Sequence, residues 1–175
     1  MALTFSAIAT VTVGSGGTAN IEFTNIPASY TDLKLMLSGR TSNNDSLHYG
    51  PIYITFNNDT SAIYDNLRLM AYGTTVIRGS DINQNNAASA TDGSSATASA
   101  FSANEYYIPN YASNVNKPWL ADYAVETNDA NNNLMSLAAN WAETTSAISS
   151  IKIAATGGQT IVQYSTATLY GIKKN

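Results

Sequence analysis

Few side chains in this sequence are of a type and spacing that could do chemistry. A single histidine, His48, leaves one position for the commonest general base. It falls in the polar stretch SNNDSLHYG beside Asp45, Tyr49 and Gly50, where a solvated ring is expected. No Gly-x-Ser-x-Gly elbow, phosphate-cradling glycine loop or His-Glu-x-x-His helix occurs. Glycoside hydrolysis needs only two carboxylates, and Asp59, Asp65, Glu105, Asp122 and Glu126 are the candidates. Most of these fall at turns or on the expected outer face of strands, so no catalytic residue is predicted and the chain reads as a non-enzyme.

Asn57, Asn58 and Asp59, or Asn128 and Asp129, offer the oxygen ligands that calcium takes. Their spacing matches no EF-hand, and Asn/Asp clusters are turn formers, so neither a metal site nor a cofactor is expected. Asn44-Asp45-Ser46 and Asn58-Asp59-Thr60 fit the glycosylation sequon as chance matches in an Asn-rich chain. The aromatic residues are more informative. Among eleven Tyr and two Trp, Tyr106, Tyr107, Tyr111, Trp119 and Tyr123 lie close in sequence. Rings that bury area while a hydroxyl stays hydrogen-bonded suit an interface or a sugar-stacking platform; the alternative is that alternate members line a core.

Composition narrows the partners. Only 11% of the residues are charged and the net charge is −4, which argues against a nucleic acid, whose affinity for proteins comes mostly from Lys and Arg. The basic residues are scattered, with only Lys173 and Lys174 adjacent. No apolar run approaches the roughly 20 residues that span a bilayer, so membrane insertion is not expected. The first residues, MALTFSAIATVTVGS, have no basic n-region, so any exit from a cell is expected to be by lysis. Cysteine is absent, which excludes disulfides and thiolate metal sites and leaves the redox compartment open.

The elements that would hold these residues read as strands. In 31–41, Leu33, Leu35 and Leu37 alternate with Asp32, Lys34, Met36, Ser38 and Arg40, a period of two that puts the leucines inward and the others outward. Residues 6–13 and 18–23 flank Gly14-Ser15-Gly16-Gly17 and predict a hairpin. Residues 51–57 place Ile52, Ile54 and Phe56 on one face, and 61–72 reads as a short helical turn followed by a strand. From 81 to 100 the sequence is nearly all Asn, Ala, Ser, Thr and Gly, which predicts a long polar surface loop. Residues 101–108, 117–127, 133–143, 148–155 and 159–172 complete roughly eight to ten strands. The chain, 1–175, is therefore expected to be a single all-β domain, an antiparallel β-sandwich, with a jelly roll as the best form.

Several segments resemble the small virion proteins and tail-fibre domains of tailed bacteriophages. The residues that carry this are 8–13 (IATVTV), 23–27 (FTNIP) followed by Tyr30-Thr31-Asp32-Leu33, the Ser38-Gly39-Arg40 strand end, 54–57 (ITFN) with Asp59, and 168–173 (TLYGIK). The resemblance implies a β-sandwich located in the virion: a capsid decoration or cement subunit, or a small tail-attached knob. It also implies homo-oligomers, with a trimer favoured, and capsid or tail proteins as partners. The alternative it leaves is a receptor-recognition module that binds a host surface glycan.

Overall fold

The computed structural model describes residues 4–44, 48–128 and 134–173. Asp45, Ser46, Asp129, Asn133 and Lys174, which enter the sequon, cation, strand and terminal-charge readings, lie outside these residues. The chain forms β1 (Thr4–Thr12), β2 (Asn20–Phe23), β3 (Asp32–Gly39), β4 (Tyr49–Phe56), β5 (Tyr64–Tyr72), β6 (Thr75–Gln84), β7 (Ala87–Asp92), β8 (Ser102–Pro109), β9 (Lys117–Val125), β10 (Leu134–Ala142), β11 (Ile151–Ala155) and β12 (Thr166–Lys173). No helix occurs among the described residues.

Two antiparallel sheets pack face to face. The larger runs β1-β12-β3-β8-β9-β10-β5-β6 and the smaller β2-β11-β4-β7. Four of the ladders nest: β1 with β12, β2 with β11, β3 with β8 and β4 with β7. A ribbon folded over on itself in this way is a jelly roll. The paired strands β5–β6 and β9–β10 are insertions that carry the larger sheet on past β8.

Alternation sets the core. Leu33, Leu35 and Leu37 of β3 face Ile52, Ile54 and Phe56 of β4, Ile151 and Ile153 of β11 and Ile21 and Phe23 of β2, all buried. In β1 the period slips at a bulge between Ala7 and Ala9. The bulge turns both Ile8 and Val11 toward the core, although an unbroken period of two would place them on opposite faces.

Four sequence expectations are corrected. Residues 6–13 and 18–23 do not form a hairpin: β1 pairs with β12 and β2 with β11. The glycine turn, with Gly16 and Gly17 at positive φ, instead carries the chain from one sheet to the other, where the apolar faces of β1 and β2 meet the same core from opposite sides. Residues 61–72 contain no helical turn, and β5 starts at Tyr64. Its hydroxyl accepts the Phe56 N–H (2.9 Å) and donates to the Asp59 carbonyl (3.0 Å), and burial pushes its pKa up to about 12.

Half of the polar loop expected over 81–100 is strand. β6 runs to Gln84, and β7 is buried along most of its length by Ala87, Ser89, Ala90, Thr91 and Asp92. The small side chains that looked too polar to bury are the ones that fit beneath β8 and β9. Two of their polar atoms are partnered within the fold: Ser89 Oγ lies 2.8 Å from the Tyr106 hydroxyl, and Asp92 Oδ1 accepts the Glu126 N–H at 3.0 Å.

The fourth correction concerns Asp32 and Arg40, which are buried rather than outward. Asp32 takes the Tyr107 hydroxyl (2.8 Å) and the Asn110 N–H (3.0 Å). Arg40 lies just past the end of β3, where its guanidinium donates to the carbonyls of Thr97 (2.7 Å), Ala100, Ser94 and Ala96 (3.0 Å each). These four bonds fold residues 93–101 around one cation. Lys117 does the same on a smaller scale, its ammonium donating to the carbonyls of Ser113 (2.7 Å), Val115 and Thr144 (3.3 Å).

Beside the Arg40 clamp, Asp92 is fully buried and its Oδ2 has no hydrogen-bond partner among the described residues. Desolvation raises its pKa from 3.8 to about 6, with the Glu126 charge adding and the Glu126 N–H and Arg40 opposing. A carboxyl whose folded pKa is raised favours the fold while neutral, and that contribution is lost as pH climbs from about 4 through 6. Asp92→Asn should therefore match the wild type in stability near pH 4. Above pH 6 it should exceed it by roughly 1–2 kcal/mol, the pKa displacement converted per unit and discounted for screening. Paired thermal melts from pH 4 to 8 check this; a difference that does not change with pH contradicts it.

Candidate interaction face

The aromatic platform expected at Tyr106, Tyr107, Tyr111, Trp119 and Tyr123 does not form on the surface. Tyr106, Tyr111, Trp119 and Tyr123 are all buried; Trp119 packs edge-on against Phe56 and lies 6.2 Å from the Tyr106 ring. The Tyr106 and Tyr111 hydroxyls find partners inside. Tyr106 is bonded by Ser89 and Asn104, and Tyr111 donates to the Pro27 carbonyl. Only Tyr107 faces outward, and its hydroxyl is held by Asp32. Alternation along β8 and β9 is the reason: it sends Tyr106, Trp119 and Tyr123 to the inner face of the sheet.

The candidate catalytic groups are dispersed. His48 sits at positive φ with Nδ1 3.1 Å from the Ser95 carbonyl. Asn57 and Asn58 adopt the left-handed turn conformation. Asn57 Oδ1 accepts the Ser149 and Ser150 N–H groups, and Asp59 Oδ1 accepts that of Ser61, which lowers the Asp59 pKa. Asp65 Oδ1 takes the Asn83 N–H, and Glu126 takes those of Thr97 and Asn128. Glu105 and Asp122 do face each other across β8 and β9, but on the exposed outer face, with Glu105 bound to Lys34 at 2.7 Å. Among the described residues no three His, Asp or Glu side chains gather in a way that could hold a metal.

What the fold does assemble is an apolar outer face on β9, β10, β5 and β6. Leu120, Met135, Leu137, Trp141, Leu67, Leu69 and Val76 all point outward there, from 40% exposed at Trp141 to 67% at Val76. Ladder register arranges them in rows. The central row is Asp122, Leu137, Leu69, Arg78; on one side runs Leu120, Ala139, Leu67, Ser80, and on the other Ala124, Met135, Ala71, Val76. Asp122 and Arg78 are the only charges in these three rows. A signal for this face is present in the sequence. Residues 67–71 and 134–141 carry apolar side chains on both alternating sets, so one set had to remain outside a two-layer sandwich.

A second feature lies at the edge of the smaller sheet. The β5–β6 pair overhangs β7 and leaves a cleft lined by Tyr49, Tyr53, Tyr72, Met70 and Ile77, with Arg68 at its wall. Arg68 is ion-paired to Asp81, and beyond Tyr53 the cleft continues past Asn66, Gln84 and Asn86.

No family model matches the chain, and no curated protein does. Among solved structures, a variant of the fructofuranosidase from Schwanniomyces occidentalis in complex with fructosylnystose is similar at 8% identity and a TM-score of 0.28. The match covers 98% of this chain and 34% of that one, so the chain spans about a third of that enzyme's length. A likeness at this level carries no argument about activity.

Proposed function

We propose that this chain is a structural subunit of a bacteriophage particle, a capsid decoration or cement protein or a small tail-attached subunit, without enzymatic activity. The observation that carries the reading is the outer face of β9, β10, β5 and β6, with its seven exposed large apolar side chains. A contiguous apolar patch of that kind marks a contact surface, and a subunit locked into an assembly keeps such a face covered. Low charge density fits the same role, since a surface destined for burial is depleted of charged residues. The partners are further copies of the chain and the capsid or tail proteins. Quantitative mass spectrometry of gradient-purified particles from a culture carrying the gene tests this. The chain is expected in fixed stoichiometry with a shell or tail protein; its absence from the particles overturns the reading.

The Tyr49, Tyr53 and Tyr72 cleft favours a second reading, recognition of a host glycan. Tyrosine rings beside amides and an Arg–Asp pair are the groups that stack on and hydrogen-bond a sugar. On this reading Tyr53→Ala weakens glycan-array or cell-surface binding by about 1–3 kcal/mol, while Tyr106→Phe, inside the core, leaves it unchanged. Equal binding by wild type and Tyr53→Ala removes this reading.

A further inference from the structure

We propose that the apolar face closes on a second copy of the chain about a two-fold axis lying in the interface, parallel to the strands and running between β10 and β5. The inference rests on the reading of this face as an assembly contact and names its occupant. An axis in that position keeps each cross-strand row over itself and reverses its order from side to side. In the central row, Arg78 then lies over the partner's Asp122, and Leu69 over the partner's Leu137. In the flanking rows the reversal sets large side chains on small ones. Leu67 meets the partner's Ala139 and Leu120 the partner's Ser80, while Met135 meets the partner's Ala71 and Val76 the partner's Ala124.

Symmetry makes every one of these contacts twice. Tilting the axis by about 15° from the strands gives the roughly 30° crossing at which sheets pack aligned.

Charge decides between the possible axes. A two-fold perpendicular to the strands keeps each strand over itself, which stacks Arg78 on the partner's Arg78 and Asp122 on the partner's Asp122. Like charges meeting in a desolvated contact are strongly unfavourable. The strand-parallel axis instead pairs each with its opposite. Both side chains are exposed in the single chain, and neither enters an ion pair with another described residue; the pairs present are Lys34–Glu105 and Arg68–Asp81. A three-fold arrangement sets one patch against a different one and makes no use of this self-complementarity. The pair, rather than the trimer implied by the family resemblance, is the unit that this face specifies.

Sedimentation equilibrium of the full chain tests the pairing with four proteins: wild type, Asp122→Arg, Arg78→Asp and the double reversal. The wild type is expected to sediment as two chains. Each single reversal faces like charges across the contact and should raise the dissociation constant by about tenfold or more, while the double reversal should return it to within about threefold. Should a reversal impair folding, Asp122→Asn and Arg78→Gln weaken the pair in the same direction. A wild type that is monomeric or trimeric, single reversals without effect, or a double reversal no better than the singles overturns the proposal. Incorporation into particles is measured separately, so a monomer found in particles refutes the pairing alone, and a pair absent from particles refutes the proposed function alone.

Discussion

Arg40→Ala is expected to destabilise the fold by about 3–5 kcal/mol, the cost of breaking a buried charged network from one side. The side chain is only 8% exposed, and its guanidinium serves the carbonyls of Ser94, Ala96, Thr97 and Ala100. Without it the Ser94, Ala96 and Ala100 carbonyls lose their guanidinium donor and the Thr97 carbonyl keeps only the Ala100 N–H, and the nearby Asp92 carboxyl loses the cation that favours its charged form. Lysine is a poor substitute, because one ammonium with three donors cannot reach four carbonyls held in a fork. Arg40→Lys should therefore recover only a minor part of the loss. Denaturant melts give the magnitude. Amide exchange locates it, since the Gly93, Ala96 and Ala100 N–H groups are bonded within this segment or to His48 and should lose protection first. Stability unchanged to within about 0.5 kcal/mol would show that the clamp contributes nothing.

Gly50→Ala is the second large effect. A Cβ built on Gly50 would lie 1.7 Å from Thr41 Oγ1 and 2.8 Å from Thr41 Cβ. Neither side can yield cheaply, because Thr41 is fully buried and bridged to Ile161, while Gly50 is held in β4 opposite Thr91 of β7. Overpacking of this severity should cost about 3 kcal/mol or more. The clash has a single identified partner, so Thr41→Gly in the same chain should relieve it. The double variant is expected to be more stable than the sum of the two single losses predicts, by about 1 kcal/mol or more. Additive losses in denaturant melts would place the strain elsewhere.

How much of this was legible in the sequence depended on whether a pattern was local. The leucines of β3 and the isoleucines of β4 face one side because alternation is a property of the strand itself, and they read correctly. Ladder partners are not local. The glycine turn after β1 has the composition of a hairpin, yet β1 closes on β12 at the far end of the chain. Nothing within 6–23 records that choice. β7 is hidden in the sequence for a related reason: Ala87 to Asp92 carries little apolar area, and its burial comes from the strands above it.

The sites divided along the same line. The close spacing of Tyr106, Trp119 and Tyr123 suggested a surface platform, but β8 and β9 turn all three to the inner face. The buried cation at Arg40 gave no signal, since its acceptors are backbone carbonyls, which every residue possesses. The outer apolar face did leave a trace. Leu67, Leu69, Met135 and Leu137 are surplus to one buried face, and their rows become visible only once β9, β10 and β5 are placed in register.

The central claim, that this face is covered in the assembled state, is tested most directly by hydroxyl-radical footprinting of the chain in purified particles and free in solution, diluted until it sediments as a single chain. Met135, Leu137, Leu67 and Leu69 should label strongly in the free chain and be protected in the particle, while Tyr164, 69% exposed and outside the four strands, serves as the reference. Equal labelling of Met135 and Leu137 in both states would contradict the claim.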